Sequence, residues 1–170
     1  ASDPPIRVLG TRANKATLMR QITATVDLDA PPDRVWAPLT DTAKHSTWNP
    51  FITKMDGTLA VGQKLDIRIA PPGGKPMSFD PTVTHVQPPQ RLAWLGHLGF
   101  PGLFDGAHSF TLTPLANGRT RLVQAEKFSG ALVWTSRGLL TKTAAGFEVM
   151  HDALSKQVSQ SPDTQPAQGK

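Results

Sequence analysis

Residues 120–130 read TRLVQAEKFSG and lead into a long segment in which apolar residues recur at helical spacing. Leu122, Gln124, Glu126 and Phe128 alternate with the residues between them, which is the period of a β-strand with one face buried. A helix is predicted from about Leu132 to Gln157. Its apolar stripe consists of Leu140, Thr143, Phe147, Met150, Leu154 and Val158. A last strand followed by one long amphipathic helix predicts a sheet that wraps around the helix. Where side chains do not fill the space between sheet and helix, the two enclose a pocket.

The composition describes one globular domain. The chain has 170 residues, of which 38% are hydrophobic, and a net charge of +5. The Lys and Arg residues are dispersed rather than gathered on one helix, so no nucleic-acid partner is predicted. No run of about eighteen apolar residues occurs, so no integral membrane association is predicted. The absence of cysteine excludes disulfides, thiolate metal sites and cysteine nucleophiles.

The ends of the chain differ from its middle in composition. We expect residues 1–18 to form an N-terminal extension, residues 19–159 the folded domain, and residues 160–170, rich in Gln, Ser and Pro, a disordered tail. The first residues carry no apolar targeting segment, which favours a cytoplasmic location. Cleavage of an earlier signal peptide, with a periplasmic location, is the alternative.

The remaining segments predict short helices and antiparallel strands. After a strand at 21–28, a Pro-Pro-Asp sequence at 31–33 starts a short helix, and a second helical turn ends at Trp48. Strands are predicted at 52–59, 63–70, 78–87, 92–98, 106–115 and 119–128, separated by Gly- and Pro-containing turns. Because no helices separate them, these strands form antiparallel hairpins in an α+β fold.

This order of elements resembles the START-like superfamily, also called SRPBCC, of polyketide cyclases, dehydratases and lipid-transport proteins. The resemblance is carried by APPDRVW at 30–36, WNPF at 48–51, Pro88 with LAW at 92–94, and 118–130. It covers about Arg20 to Val158 and implies a helix-grip fold, in which a curved antiparallel sheet wraps the long C-terminal helix around a mostly apolar cavity, with two short helices after the first strand. Members range from carriers to enzymes to chaperone regulators, so the activity needs its own argument.

The large side chains predict what lines such a cavity. Core packing explains any one aromatic residue, but so many together are typical of an apolar pocket with a few polar groups. The predicted ligand-binding residues are Trp48, Asn49, Phe51, Trp94, Phe104, Phe110, Gln124, Phe128, Phe147 and Met150. Asn49 has two interpretations, because it can bond a ligand at the mouth or hold its own turn beside Pro50.

The hairpin register predicts a polar cluster on the concave face. A three-residue loop, 116–118, with Gly118 in the left-handed position places His108 opposite Glu126 and Phe110 opposite Gln124. A buried carboxylate needs a partner, and His108 is a suitable one. We interpret His108 and Glu126 as a catalytic acid–base or ligand-orienting pair; a structural ion pair, or a Glu126 that reaches solvent, is the alternative.

Other potential sites are weaker. His45, His85, His97 and His151 have no spacing that converges on a metal, so neither a metal nor another cofactor is predicted. The apolar, glycine-rich run 99–106 differs from an ordinary solvated loop and is predicted to be a lid over the pocket.

Three functions follow. The first is binding of a small hydrophobic molecule, aromatic, polyketide-like or lipid-like, by a carrier or sensor, which requires only the cavity. The second is a cyclase, dehydratase or aromatase that uses His108 and Glu126. The third is an interaction domain that resembles the activators of the heat-shock chaperone system. The sequence does not indicate the oligomeric state.

Overall fold

The computed structural model of the protein describes residues 19–160, which form an α+β fold. The predicted N-terminal extension and nearly all of the predicted tail lie outside these residues. The strands are β1 (Met19–Leu28), β2 (Ile52–Gly57), β3 (Leu65–Ile69), β4 (Met77–Phe79), β5 (Thr82–Gln87), β6 (Arg91–His97), β7 (Asp105–Pro114) and β8 (Thr120–Ser129), and the α-helices are α1 (Pro32–Thr40), α2 (His45–Trp48) and α3 (Arg137–Gln160). The helix-grip prediction is confirmed, because antiparallel strands curve around α3 and the two short helices follow β1.

The strands form two antiparallel sheets that meet along one seam. One sheet has the order β1-β8-β7-β6-β5, and the other has the order β2-β3-β4. At the seam, the Leu65 amide donates to the Pro81 carbonyl at 2.9 Å and the Val83 amide to the Gln63 carbonyl at 2.8 Å. The prediction of one strand over 78–87 was therefore wrong at its centre. Proline has no N–H to give a ladder, and the strand breaks at Asp80-Pro81 while the pairing continues on either side.

The hairpin between β7 and β8 has the predicted register. His108 pairs with Glu126, Phe110 with Gln124 and Leu112 with Leu122. The loop at 116–118 has both Asn117 and Gly118 in the left-handed region, with φ of 62° and 70°. Asn and Gly tolerate this conformation best, so the loop sequence fixes the register.

The last helix starts later than predicted. Gly130 has φ of +116°, and a 3₁₀ turn at Val133–Thr135 with a buried Val133 precedes α3, which begins at Arg137 instead of Leu132. The predicted apolar stripe is buried along its length. A Cβ on Gly146 would lie well inside 3.0 Å of the Phe51 ring, whereas one on Gly138 would meet nothing within 4 Å. Gly146 therefore permits close packing of α3 on Phe51, and Gly138 does not serve such an approach.

Candidate functional site

A partly open cavity lies between the first turns of α3 and the concave side of both sheets. Its empty volume is about 620 Å³, a figure that includes space open to solvent. The lining is mostly apolar and consists of Phe51, Ile52, Ile67, Ile69, Met77, Phe79, Trp94, Gly96, His97, Leu98, Phe104, Gly106, His108, Glu126, Phe128, Leu139 and Thr143. The few polar groups among these residues can fix the orientation of a ligand.

Two polar side chains in this wall, His108 and Glu126, are direct neighbours across β7 and β8. His108 Nδ1 and Glu126 Oε2 share a hydrogen bond. The His108 side chain is 4% exposed and that of Glu126 14% exposed, so the pair is largely removed from water. A carboxylate in this position is stabilised by its partner rather than by solvent.

Aromatic rings enclose the imidazole of His108. Its plane stacks on Trp94 with a centroid distance of 4.7 Å and an interplanar angle of 10°. Phe110 and Phe147 meet it in T-shaped contacts at 4.7 and 5.5 Å. Its second nitrogen, Nε2, lies 3.4 Å from the side-chain amide nitrogen of Gln124. Since both ring nitrogens have protein partners, His108 supports Glu126 from behind rather than contacting a ligand through nitrogen.

The second oxygen of Glu126 lies over Gly106. A Cβ at Gly106 would be 2.5 Å from Glu126 Oε1, a separation that real Cβ atoms do not show. Both residues line the cavity, and no hydrogen bond to Oε1 is formed within residues 19–160. A glycine opposite Phe128 in the ladder thus creates the space in which Oε1 faces the cavity as a hydrogen-bond acceptor.

Gln124 continues the polar chain beneath the cavity wall. It is fully buried, its amide nitrogen donates to Met150 Sδ at 3.6 Å, and its Oε1 has no partner among the described residues. As placed, the amide donates to Nε2 of a neutral imidazole. A half-turn of the amide would bring Oε1 to Nε2, so Gln124 can serve both the neutral and the protonated ring of His108.

His151 lies on the α3 side of this chain and is also buried. Burial lowers the pKa of His151 to about 4, with a smaller contribution from the charge of His108. Its Nε2 has no partner among residues 19–160. His151 is therefore neutral at physiological pH and adds no charge to the interior.

The predicted site residues fall into two groups. Phe51, Trp94, Phe104 and Phe128 line the cavity together with His108 and Glu126. The cavity lining does not include Trp48, Asn49, Phe110, Gln124, Phe147 and Met150. Phe110, Gln124, Phe147 and Met150 are fully buried and form the layer behind the lining. Side chains on the inward face thus divide into those that reach the cavity and those that close the core beneath it.

Asn49 holds its own turn, as one of its two sequence interpretations has it. Its Oδ1 accepts hydrogen bonds from the amides of Phe51 at 3.0 Å and Ile52 at 2.9 Å. Its Nδ2 lies 3.3 Å from Nδ1 of His45, whose Nε2 is 3.0 Å from the Leu39 carbonyl. Burial lowers the pKa of His45. These bonds use both polar ends of Asn49 to set the start of β2, which favours the structural interpretation, and ligand binding by Asn49 stays a prediction.

Sequence reasoning missed the part of the lining that comes from β3, β4 and the start of α3. These residues are Ile67, Ile69, Met77, Leu139 and Thr143. The signal was available in β3, where Leu65, Ile67 and Ile69 alternate with charged residues. That alternation identifies the buried face, but it does not show which apolar residues border a cavity.

The loop between β6 and β7 lies at the edge of the cavity. Phe104 is buried and lines it, whereas Phe100 is exposed. The loop is closed at its base by Asp105, whose carboxylate accepts from the Gly102 amide at 3.0 Å and bonds His97 Nδ1 at 2.6 Å. The hydrogen bond with His97 lowers the pKa of Asp105, despite the opposing effect of burial. The position is that of the predicted lid, and its motion stays a prediction.

Two features are absent from residues 19–160. No group of three or more His, Asp or Glu side chains there is arranged to hold a metal ion. No helix in this part of the chain is long and apolar enough to cross a bilayer.

Comparison with known proteins gives both a family and a fold. A sequence model of the family described as "Polyketide cyclase / dehydrase and lipid transport" matches residues 19–157. No protein of curated function matches the chain in sequence.

Solved structures share the fold at low identity. The aromatase/cyclase Zhui from Streptomyces sp. R1128 is 18% identical, with a TM-score of 0.69 over 84% of this chain and 95% of that one. Protein MLL2253 from Mesorhizobium loti is 24% identical, with a TM-score of 0.67 over 84% and 99%. A norcoclaurine synthase mutant from Thalictrum flavum is 15% identical, with a TM-score of 0.66 over 86% and 98%. At these identities the similarity establishes the fold.

Proposed function

The chain belongs to the polyketide cyclase/dehydrase and lipid-transport family, and we propose that it binds a small, mostly aromatic or alicyclic molecule bearing one hydrogen-bond donor. The observation that carries this proposal is a hydrogen-bond acceptor, Glu126 Oε1, that has no protein partner among residues 19–160 and lies in a mostly apolar cavity wall. The apolar wall supplies affinity through burial, and the acceptor supplies selection for a hydroxyl, enol or similar group.

A ligand with a hydrogen-bond donor is favoured because the Glu126 carboxylate is held in position before the ligand binds. His108 holds Oε2, Trp94 holds the ring of His108, and Gly106 leaves room for Oε1. A hydrogen bond to a charged acceptor contributes about 1.5–3 kcal/mol. A ligand that lacks the donor would leave the carboxylate desolvated and unpaired, which costs free energy rather than merely failing to gain it.

Calorimetric titration with two matched probes tests this. The probes are 2-naphthol, which carries a hydroxyl donor, and 2-methoxynaphthalene, which has the same ring and no donor. We expect 2-naphthol to bind about tenfold tighter or more, as the strength of a charged hydrogen bond implies. In Glu126→Gln the preference should shrink to less than about threefold, because the acceptor loses its charge. Equal affinities for both probes in the wild type would refute the proposed selection, and absence of binding by either would refute the cavity as a ligand site.

The second candidate is an enzyme of the cyclase, dehydratase or aromatase type, and the His108–Glu126 pair favours it. In that function Glu126 Oε1 would accept a proton from the bound substrate. His108 would stabilise the charged carboxylate before the transfer, and this stabilisation would end once Glu126 is protonated and neutral. Gln124 can match either protonation state of His108 by turning its amide. A general base contributes about 100-fold or more to turnover.

Native mass spectrometry of protein purified from its own host separates the two candidates. A carrier or sensor should retain one apolar mass that also occurs unaltered in the extract. An enzyme should convert that molecule on incubation, and Glu126→Gln should hold it unconverted. Turnover that is equal in the wild type and Glu126→Gln would contradict the acid–base role.

A further inference from the structure

Exposed apolar side chains are concentrated at the cavity end of the molecule. Five large hydrophobic residues of the described chain are exposed, and four of them come from segments at this end: Met19 (51%), Phe100 (64%), Leu132 (44%) and Trp134 (42%). We call these four the mouth patch. The fifth, Val61, lies in the turn between β2 and β3. Exposed apolar residues that lie together, unlike single ones, mark interaction sites on soluble proteins.

Hydrogen bonds and strand pairing bring the segments of the patch together. Met19 pairs with Ser129 at the end of β8, just before Leu132. The Leu132 amide donates to the Leu103 carbonyl at 3.0 Å, and the Leu103 amide donates to the Phe100 carbonyl at 3.1 Å. The same loop supplies Leu98 and Phe104 to the cavity. The mouth patch therefore lies on segments that adjoin the cavity lining.

Cations surround the patch. The Arg20 guanidinium stacks over Trp134 at 4.6 Å from the ring centre. Arg137 begins α3, two residues before the cavity residue Leu139, and a Cβ on Gly74 would touch Lys142, which brings Lys75 to the same side. Lys75, Arg137 and Lys142 are exposed. Within residues 19–160 none of these four cations forms an ion pair with a carboxylate.

The carboxylates near the opening are already engaged. Asp105 bonds His97 and the Gly102 amide, Glu126 bonds His108, and Asp80 pairs with Lys64 at 2.8 Å. Even with both histidines neutral, the four unpaired cations outnumber the charges of Asp105 and Glu126, so a negatively charged surface complements this end of the molecule.

We propose that the mouth patch docks on a lipid surface that contains anionic headgroups, so that an apolar ligand passes between bilayer and cavity without crossing water. Exposed apolar side chains that include two aromatic residues, with cations nearby, suit insertion among lipid headgroups. The role in ligand transfer rests on the proposed function, but the docking itself does not.

The physical reason for docking is the cost of exposing the ligand. Each Å² of apolar ligand surface moved into water costs about 25 cal/mol, which slows release from an apolar cavity into solvent. A bilayer placed against the mouth removes that cost for both the ligand and the four patch residues. A second copy of the chain is a different occupant, and the experiment below distinguishes it from a lipid surface.

Vesicle flotation without added ligand tests the docking. The full chain is mixed with phosphatidylcholine vesicles that either contain or lack phosphatidylserine, at low and high NaCl. We expect binding to the phosphatidylserine vesicles that weakens with salt. The double variant Phe100→Ser/Leu132→Ser should partition at least about tenfold less, from the lost apolar burial. Arg137→Gln/Lys142→Gln should lose about fivefold per charge.

Val61→Ser is the matched control, because Val61 is as exposed as Phe100 but lies outside the patch, and it should bind vesicles like the wild type. Each variant is first checked for native circular dichroism and thermal unfolding. No binding to phosphatidylserine vesicles would overturn the proposal, as would equal binding by the wild type and Phe100→Ser/Leu132→Ser. If the wild type is a dimer, the double variant is a monomer and neither binds vesicles, the patch is instead the contact surface for a second copy of the chain.

The naphthol titration described above needs no vesicles, so the two failures are distinguishable. Binding of 2-naphthol without binding of vesicles would refute only the docking proposal. Binding of vesicles without binding of either probe would refute only the proposed ligand function.

Discussion

The substitution Gly106→Ala tests how Glu126 is held in the cavity wall. The new methyl group would stand 2.5 Å from Glu126 Oε1, and the two atoms must separate to at least 3.0 Å. The φ of Gly106 is not positive, so alanine fits the backbone and the strain falls on the carboxylate. Since a side-chain end can rotate away, the substitution displaces Glu126 while leaving the strand intact.

Two magnitudes follow for Gly106→Ala. Loss of the His108 hydrogen bond lowers the free energy of unfolding by about 1.5–3 kcal/mol, and replacing glycine by alanine in a compatible conformation raises it by about 0.4–1 kcal/mol, because the unfolded chain becomes less flexible. The free energy of unfolding should therefore fall by about 0.5–2.5 kcal/mol. The affinity ratio of 2-naphthol to 2-methoxynaphthalene should fall from about tenfold to below about threefold.

Urea denaturation and calorimetry measure these two quantities on the same protein. Gly138→Ala, at a position open to solvent, is the control and should leave the affinity ratio unchanged. If Gly106→Ala retains the full preference for 2-naphthol, Oε1 does not face the ligand and the reasoning about Gly106 is refuted.

Three further predictions concern the helix, the buried histidine and the loop. Gly146→Ala should lower the free energy of unfolding by about 1–3 kcal/mol, because a methyl group would collide with the Phe51 ring, whereas Gly138→Ala should raise it by up to about 1 kcal/mol; equal effects in urea denaturation would contradict the packing argument. The pKa of His151 is about 4 in the folded protein, against an ordinary value of 6.5, so the unfolded chain binds the proton first and stability should fall as pH drops from 6.5 to 4, by up to about 3 kcal/mol. His151→Asn should lack this part of the pH dependence, and an unchanged slope would show that another group causes it. Saturation with 2-naphthol should raise hydrogen-exchange protection in residues 99–106, and unchanged exchange there would rule out a lid.

The hairpin that carries the site could be predicted from sequence because its information is local. A three-residue loop with Asn117 and Gly118 in the left-handed region admits one register, and the side-chain period of two then puts His108 and Glu126 on the same face. The long helix was predictable for the same reason, since its apolar stripe needs no distant partner to be recognised.

What could not be predicted depends on contacts between distant segments. Pro81 lies within an alternating stretch, and only pairing with Leu65 shows that the sheet continues around it. Phe110 and Phe128 both face inward, but Phe110 packs against His108 and is fully buried, whereas Phe128 lines the cavity. A sequence pattern shows on which face of the sheet a side chain lies. It does not show whether that side chain packs against other side chains or borders a cavity.

The most direct test of the account is a crystal structure of the protein with 2-naphthol bound. The account predicts the naphthalene ring against Trp94 and Phe128, with its hydroxyl group within hydrogen-bond distance of Glu126 Oε1 and the His108–Glu126 bond retained. A ring bound outside the space between α3 and the sheets, or a hydroxyl group directed away from Glu126, would contradict it.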